Sequence, residues 1–221
     1  LLPQLVLADP ELTLGLPPLM TAATGMDTLT HLIESYLAKV FHPLADGIAL
    51  AGMKMVADHL PNAVKFAKTH PGKATPEHLE ASGMMLNAAM MGAISFQKGL
   101  GVTHSCAHAL STVCDMHHGT ANGIMLDVCM EFNAKAVPER FKEMAHALRL
   151  PGGSPKAFLS WIPRFKKKLG IPVNLSGSGV TLEHLSKLLD VAENDGCHPA
   201  NPVAVTRKDF EKLFLKALGK R

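Results

Sequence analysis

The strongest constraint on this chain is a single change of period. Residues 1–18, LLPQLVLADPELTLGLPP, include Pro10, Pro17 and Pro18. Proline lacks the backbone N–H and clashes with the preceding turn, so this stretch reads as extended, with strand-like character from Leu5 to Ala8. From Met20 apolar residues recur at helical spacing, and the pattern persists almost to the end of the 221 residues. The spacing predicts a first helix over Thr21–Ala38, with Leu29, Leu32, Ile33, Tyr36 and Leu37 on one face. A second opens at Pro43 and stops or restarts at Pro61, because proline is favoured at the first helical position and disfavoured inside. Thr75 followed by Pro76 is an N-cap signature for a helix over Glu77–Phe96. The small residues of that stretch let neighbours approach closely, so it is expected to be central and fully surrounded. Further helices are predicted up to about Phe132 and over Pro138–Leu148, Lys156–Leu169, Leu182–Glu193 and Arg207–Leu218. The fold class is therefore all-α: an extended segment over 1–20 and a domain of roughly ten helices over 21–221. No initiator methionine opens the chain, which reads as the tail of something preceding it.

Composition narrows the function classes. Apolar residues make up 47% and charged residues 19%, so the chain can bury a globular core. The formal net charge is +3, and the one tight basic run is Arg164–Lys168 (RFKKK). Lysines at a helix C-terminus complement its dipole, so this run is expected to be a solvated helix end and not a nucleic-acid site. Apolar runs such as Ile48–Met55 are too short and interrupted to span a bilayer, and no secretory leader pattern is present, so membrane partners are not expected. The four cysteines, Cys106, Cys114, Cys129 and Cys197, form no C-x-x-C pair, as expected of reduced thiols in a cytoplasmic protein.

The chemistry concentrates in KGLGVTHSCAHALSTVCDMHHGTAN, which holds four of the twelve histidines. His104 and His108 are four apart and share a helix face. His118 follows His104 by fourteen residues, roughly 21 Å along one helix, so the two meet only if a turn separates two helices. His117 rivals His118, but His118 directly precedes Gly119. In the first helix Asp27 and His31 are also four apart. Together Asp27, His31, His104 and His118 form a one-carboxylate, three-imidazole set that suits Fe²⁺ or Zn²⁺ better than Ca²⁺. His42, His59, His70, His78, His146 and His184 sit in polar or connecting positions and read as surface residues.

TAATGMDTLTHLIESY, FQKGLGVTHSCAHALS and HHGTANGIMLDVCMEFN, in that order, resemble the iron-containing (group III) alcohol dehydrogenase family, and DGCHPANPVAVTRKDFEKLFLKAL resembles its C-terminal segment. The resemblance runs nearly the full length. It implies that Asp27, His31, His104 and His118 hold a divalent ion, commonly Fe²⁺ and sometimes Zn²⁺. It implies that His108 lies beside the nicotinamide of NAD(P) as a proton-relay group. The segment before the first helix, here Leu12, Thr13, Leu14, Gly15 and Leu16, is implied to contact the cofactor. The implied activity is NAD(P)-dependent alcohol oxidation: the ion lowers the pKa of a small alcohol, and the alkoxide gives hydride to nicotinamide, with aldehyde reduction as the reverse. The family's nucleotide-binding half, with its Gly-Gly-Gly-Ser phosphate turn, precedes the segment with which this chain begins. Gly152-Gly153-Ser154 does not replace that turn, being preceded by a helix and flanked by prolines. The family's Asn-Pro-Arg is Asn201-Pro202-Val203 here. This resemblance predicts a metal-binding catalytic half that turns over poorly alone. Two other classes remain open: a metal-dependent hydrolase, disfavoured because no adjacent His-Asp pair is present, and a non-catalytic binding or oligomerisation domain. Homo-oligomer formation through surface left open by the missing half is a further expectation.

Overall fold

A computed structural model describes residues 3–220; Leu1, Leu2 and Arg221, the outer ends of the two expected segments, lie outside the described residues. Nine α-helices carry the described fold: α1 (Pro18–Leu37), α2 (Pro43–Thr69), α3 (Pro76–Ser95), α4 (Val102–Cys114), α5 (His118–Asn133), α6 (Pro138–Ala147), α7 (Pro155–Leu169), α8 (Leu185–Glu193) and α9 (Arg207–Ala217). Four short 3-10 turns join them, and no strand occurs among the described residues. The all-α expectation holds, with nine α-helices where roughly ten were expected. Residues 3–9 are neither helix nor strand, and Leu5, Val6 and Leu7 are exposed.

Local chemistry sets most boundaries. Proline occupies the first turn of α1, α2, α3, α6 and α7, where its missing N–H has no helical partner to lose. Thr75 and Ser154 cap α3 and α7 by accepting from His78 N and Ala157 N, each at 3.2 Å. Two boundaries differ from expectation. The leading segment is not extended throughout, because Pro10–Thr13 forms a 3-10 turn capped by Asp9 and α1 begins at Pro18. Pro61 neither stops nor restarts α2, which runs through it. The buried residues Met53, Val56, Leu60, Ala63 and Ala67 stay in helical phase across the proline, so packing on α1 and α3 outweighs one lost hydrogen bond.

The helix at the centre is α1. Thirteen of its twenty residues are buried, against six of twenty in α3, and α1 packs on α2, α3 and α5. The expectation that residues 77–96 form a fully surrounded helix is therefore corrected. The small residues of α3 serve a close approach on one side, and Asn87, Ala89, Ala93 and Ile94 face outward. The core runs without a break from Ala22 and Met26 on α1 through Leu110 and Met125 to Phe141, Phe158, Phe210 and Phe214. Methionines are frequent in it, as expected of an adaptable helical core.

Lys166 corrects the reading of the basic run. Arg164, Lys167 and Lys168 are exposed, but Lys166 is buried and its ammonium donates to Asp127 Oδ1 at 2.7 Å and to the Ile124 carbonyl at 3.1 Å. That lysine ties α7 to α5. His78 is likewise not a surface residue: it is buried, with Nδ1 3.1 Å from the Lys73 carbonyl. All four cysteines are free, Cys106 and Cys129 buried and Cys114 and Cys197 half-buried. No helix among the described residues is long and apolar enough to cross a membrane.

Candidate metal centre

Three helices, α1, α4 and α5, bring the histidines together. Helix α4 ends at Asp115, whose left-handed φ of 50° reverses the chain, and α5 begins at His118. This is the helix, turn and helix start that the fourteen-residue spacing requires. At the start of α5 His117 and His118 separate. His117 is exposed and caps the helix by accepting from Thr120 N at 3.4 Å, while the half-buried His118 faces α1. Gly119 allows the approach: a Cβ there would sit 2.3 Å from the Ala23 carbonyl oxygen, so only glycine lets α5 lie directly on the α1 backbone.

Asp27 and His31 project from α1 toward the same point. His118 Nε2 lies 3.3 Å from Asp27 Oδ1, His104 Nε2 lies 3.7 Å from the same oxygen, and His31 Nδ1 lies 3.9 Å from Asp27 Oδ2. Donor atoms of Asp27, His31 and His104 all fall within 4.8 Å of one another. The His31 and His104 rings stack at 4.6 Å between centroids, and the His104 and His118 centroids are 5.6 Å apart. Asn122 Nδ2 donates to Asp27 Oδ1 at 2.6 Å and lies 3.0 Å from His118 Nε2.

Glu34, buried behind this cluster, does not follow from the histidine spacings. Its carboxylate accepts from Gly101 N at 3.0 Å, Thr103 N at 2.6 Å and His104 N at 3.2 Å, the first amides of α4, and from His104 Nδ1 at 2.7 Å. A carboxylate at a helix N-terminus is favoured by the unpaired amides and the dipole. Here it also fixes His104. With Nδ1–H given to Glu34, His104 Nε2 is left buried and without any hydrogen-bond partner. A buried polar atom without a partner is costly unless another group meets it. A carboxylate, an imidazole and the coordinating nitrogen in series is the outer arrangement typical of bound metal. The donor set therefore fits a first-row divalent ion.

The charges point the same way. Burial lowers the His104 pKa, but the carboxylates of Glu34 and Asp27 outweigh it and push it up to about 9. An environment that favours a proton between these carboxylates also favours a cation. Burial opposes ionisation of Asp27, yet His104, His118 and His31 hold its carboxyl far below the usual range. Burial lowers His31 to about 4, so that ring is neutral and able to coordinate.

His108 lies one turn beyond His104, half-exposed, with its ring stacked on His118 at 5.1 Å. Its Nδ1 meets Asp195 Oδ2 at 2.7 Å. Asp195 Oδ1 accepts from Ser105 Oγ at 2.7 Å and from Cys197 N at 2.9 Å. Burial opposes its charge, but these donors hold the carboxyl well below the usual range. Burial and the Asp195 charge push the Cys197 thiol up to about 12, so it remains protonated. Side-chain donor atoms of His108, Asp195 and Cys197 lie within 4.8 Å of one another, but both carboxylate oxygens are engaged and the thiol keeps its proton. This second cluster is a hydrogen-bonded group.

No residue of Leu12–Leu16 belongs to either donor cluster. Thr13 and Leu16 line a cavity of about 240 Å³ against α1, α2 and α3, whose lining includes none of the four expected ligands. Leu14 is buried and its carbonyl accepts from Gly72 N at 2.9 Å, whereas Leu12 is exposed and Gly15 has open space beside it. Asn201 is buried. It accepts from Val102 N at 3.2 Å, exchanges hydrogen bonds with Asn133 and donates to the Val203 carbonyl, so it holds the start of α4.

Fold and site together define an all-helical domain carrying a carboxylate–imidazole cluster suited to a divalent ion. Residues 21–218 match the Fe-containing alcohol dehydrogenase family, C-terminal, and the chain belongs to that family. It is 37% identical over 227 residues to a 4-hydroxybutyrate dehydrogenase of Cupriavidus necator, covering 99% of this chain and 56% of that protein. It is 33% identical to an NAD-dependent methanol dehydrogenase of Bacillus methanolicus, covering 98% and 56%. The crystal structure of a 1,3-propanediol oxidoreductase superposes with a TM-score of 0.86 at 31% identity, covering 95% of this chain and 54% of that one. The chain spans about half the length of the curated relatives it matches.

Proposed function

We propose that this chain is the metal-binding catalytic half of an NAD(P)-dependent alcohol dehydrogenase acting on a small alcohol or aldehyde in the cytoplasm. The observation that carries this reading is the partnerless His104 Nε2 grouped with Asp27 and His31, with His118 Nε2 3.3 Å from Asp27 Oδ1. Those four side chains would hold Fe²⁺ or Zn²⁺, with residues 21–221 as the helical domain. When bound, such an ion supplies Lewis-acid polarisation of an alcohol or carbonyl oxygen. The chain's own residues supply the rest. Glu34 keeps His104 in the tautomer whose Nε2 is free, and Asn122 orients Asp27. His108, stacked on His118 and half-exposed, would take or give a proton at the open side of the cluster.

Support for the cofactor comes from the relatives, one of which is NAD-dependent by name. Residues 1–20, with Leu12, Thr13, Leu14, Gly15 and Leu16, would contact the nicotinamide cofactor together with a nucleotide-binding half. His108 would face it from the helical side. The test is a chimera joining this chain to the first half of the Cupriavidus necator relative, loaded with Fe²⁺ or Zn²⁺. The reading predicts alcohol-dependent NAD(P)H formation that is abolished by His104→Ala, and negligible turnover by the 221-residue chain alone. A folded, metal-loaded chimera without alcohol-dependent reduction of either cofactor would contradict it.

A further inference from the structure

We infer that Asp195 is a positioning residue that fixes the tautomer of His108, keeping the proton on Nδ1 and leaving Nε2 of the same ring as the free lone pair. The geometry has three parts. First, His108 Nδ1 lies 2.7 Å from Asp195 Oδ2. An ionised carboxylate only accepts, so the ring must donate, and the other nitrogen of a neutral imidazole is then an acceptor.

Second, the carboxylate is held against rotation. Asp195 Oδ1 accepts from Ser105 Oγ at 2.7 Å and from the Cys197 backbone N–H at 2.9 Å. Ser105 Oγ itself accepts from His198 N at 3.0 Å, which leaves its own proton for Asp195. Third, Ser105 and His108 are three apart on α4 and share a face. The turn after α8 is thus pinned to α4 at two points, and the imidazole sits against an acceptor that cannot swing away.

This arrangement makes an unusual demand on asparagine at position 195. The Cys197 N–H can only donate, so the amide oxygen must remain at that end. The amide NH₂ then faces His108 Nδ1, and two donors cannot share that contact. Nδ1 must become the acceptor and the proton must move to Nε2. A nearly isosteric change therefore reverses the tautomer, which a merely structural role for Asp195 would not do. The catalytic consequence rests on the reading of His108 given above; the tautomer does not.

The test is nitrogen-15 NMR of the metal-free chain labelled in its histidine rings, at alkaline pH, with His108 assigned through His108→Gln. The wild type is expected to show His108 protonated on Nδ1, and Asp195→Asn to show it protonated on Nε2. An Nε2–H wild type would overturn the inference even if the variant did not fold. An Asp195→Asn protein that keeps Nδ1–H would overturn it as well. In the loaded chimera the same variant should lower kcat roughly 10²–10⁴-fold. A reversed tautomer with undiminished kcat would uphold the positioning of His108 and remove its proposed part in proton transfer.

Discussion

Two imidazoles one turn apart on α4 each meet a carboxylate oxygen at 2.7 Å, yet their surroundings differ. His104 and Glu34 are both 1% exposed, whereas the His108 side chain is 39% exposed and Asp195 15%. Glu34 gathers three backbone amides as well as the ring, and the far nitrogen of His104 is sealed in with no partner. Asp195 gathers one hydroxyl and one amide, and its imidazole keeps an open face. The same contact has two uses. On the proposed function, the buried pair would present a fixed lone pair to an ion, and the half-exposed pair would present its ring to whatever approaches from outside. Burial, and not distance, separates the two roles.

Breaking the buried pair should have the largest effect. Glu34→Ala leaves His104 and three amides of α4 unpaired in the interior, and should cost about 3–5 kcal/mol in chemical denaturation. A cost below about 1 kcal/mol would mean that the pair does not hold α4 in place. Next is Gly119→Ala, which forces a methyl against the α1 backbone at Ala23. Overpacking of this kind costs about 1–3 kcal/mol, and divalent-ion affinity should fall with it, because His118 is the adjacent residue. Thermal melts and metal titrations on one preparation would show whether the two losses go together. The smallest effect is expected where distance is conserved but burial is not. Arg207 reaches Asp190 at 2.7 Å and Glu193 at 2.8 Å on the surface. Such pairs gain little against water and salt, so Arg207→Ala should leave the thermal midpoint within measurement error. A clear drop there would show that short contacts stabilise this fold regardless of burial.

The parts legible in the sequence were those written in helical spacing. Asp27 with His31 and His104 with His108 share faces because residues four apart must, and the turn at Asp115 before His118 follows from the distance the cluster has to close. The capped start at Thr75 was legible for a similar reason, since the N-cap signal is local. Glu34 was within reach: it lies three residues after His31 and seven after Asp27, on the same face of α1. Its part depends on the amides at the start of α4, 67 to 70 residues away, which helical spacing does not bring to it. Asp195 was out of reach, lying in a turn 87 residues from His108, where only tertiary packing joins them. Lys166 misled for the opposite reason. A lysine run at a helix end has a sufficient local explanation, and the one member that turns inward does so for Asp127 on another helix. Pro61 shows tertiary contacts overriding a local stop signal.

On the proposed function, Asp27, His31, His104 and His118 would hold one divalent ion. The most direct test is elemental analysis of the chain after anaerobic loading with Fe²⁺, or loading with Zn²⁺, beside His104→Ala. The account predicts about one ion per chain, as for a single four-ligand site, and its loss in a variant that still folds. No ion in the folded wild type, or the same stoichiometry in His104→Ala, would contradict it.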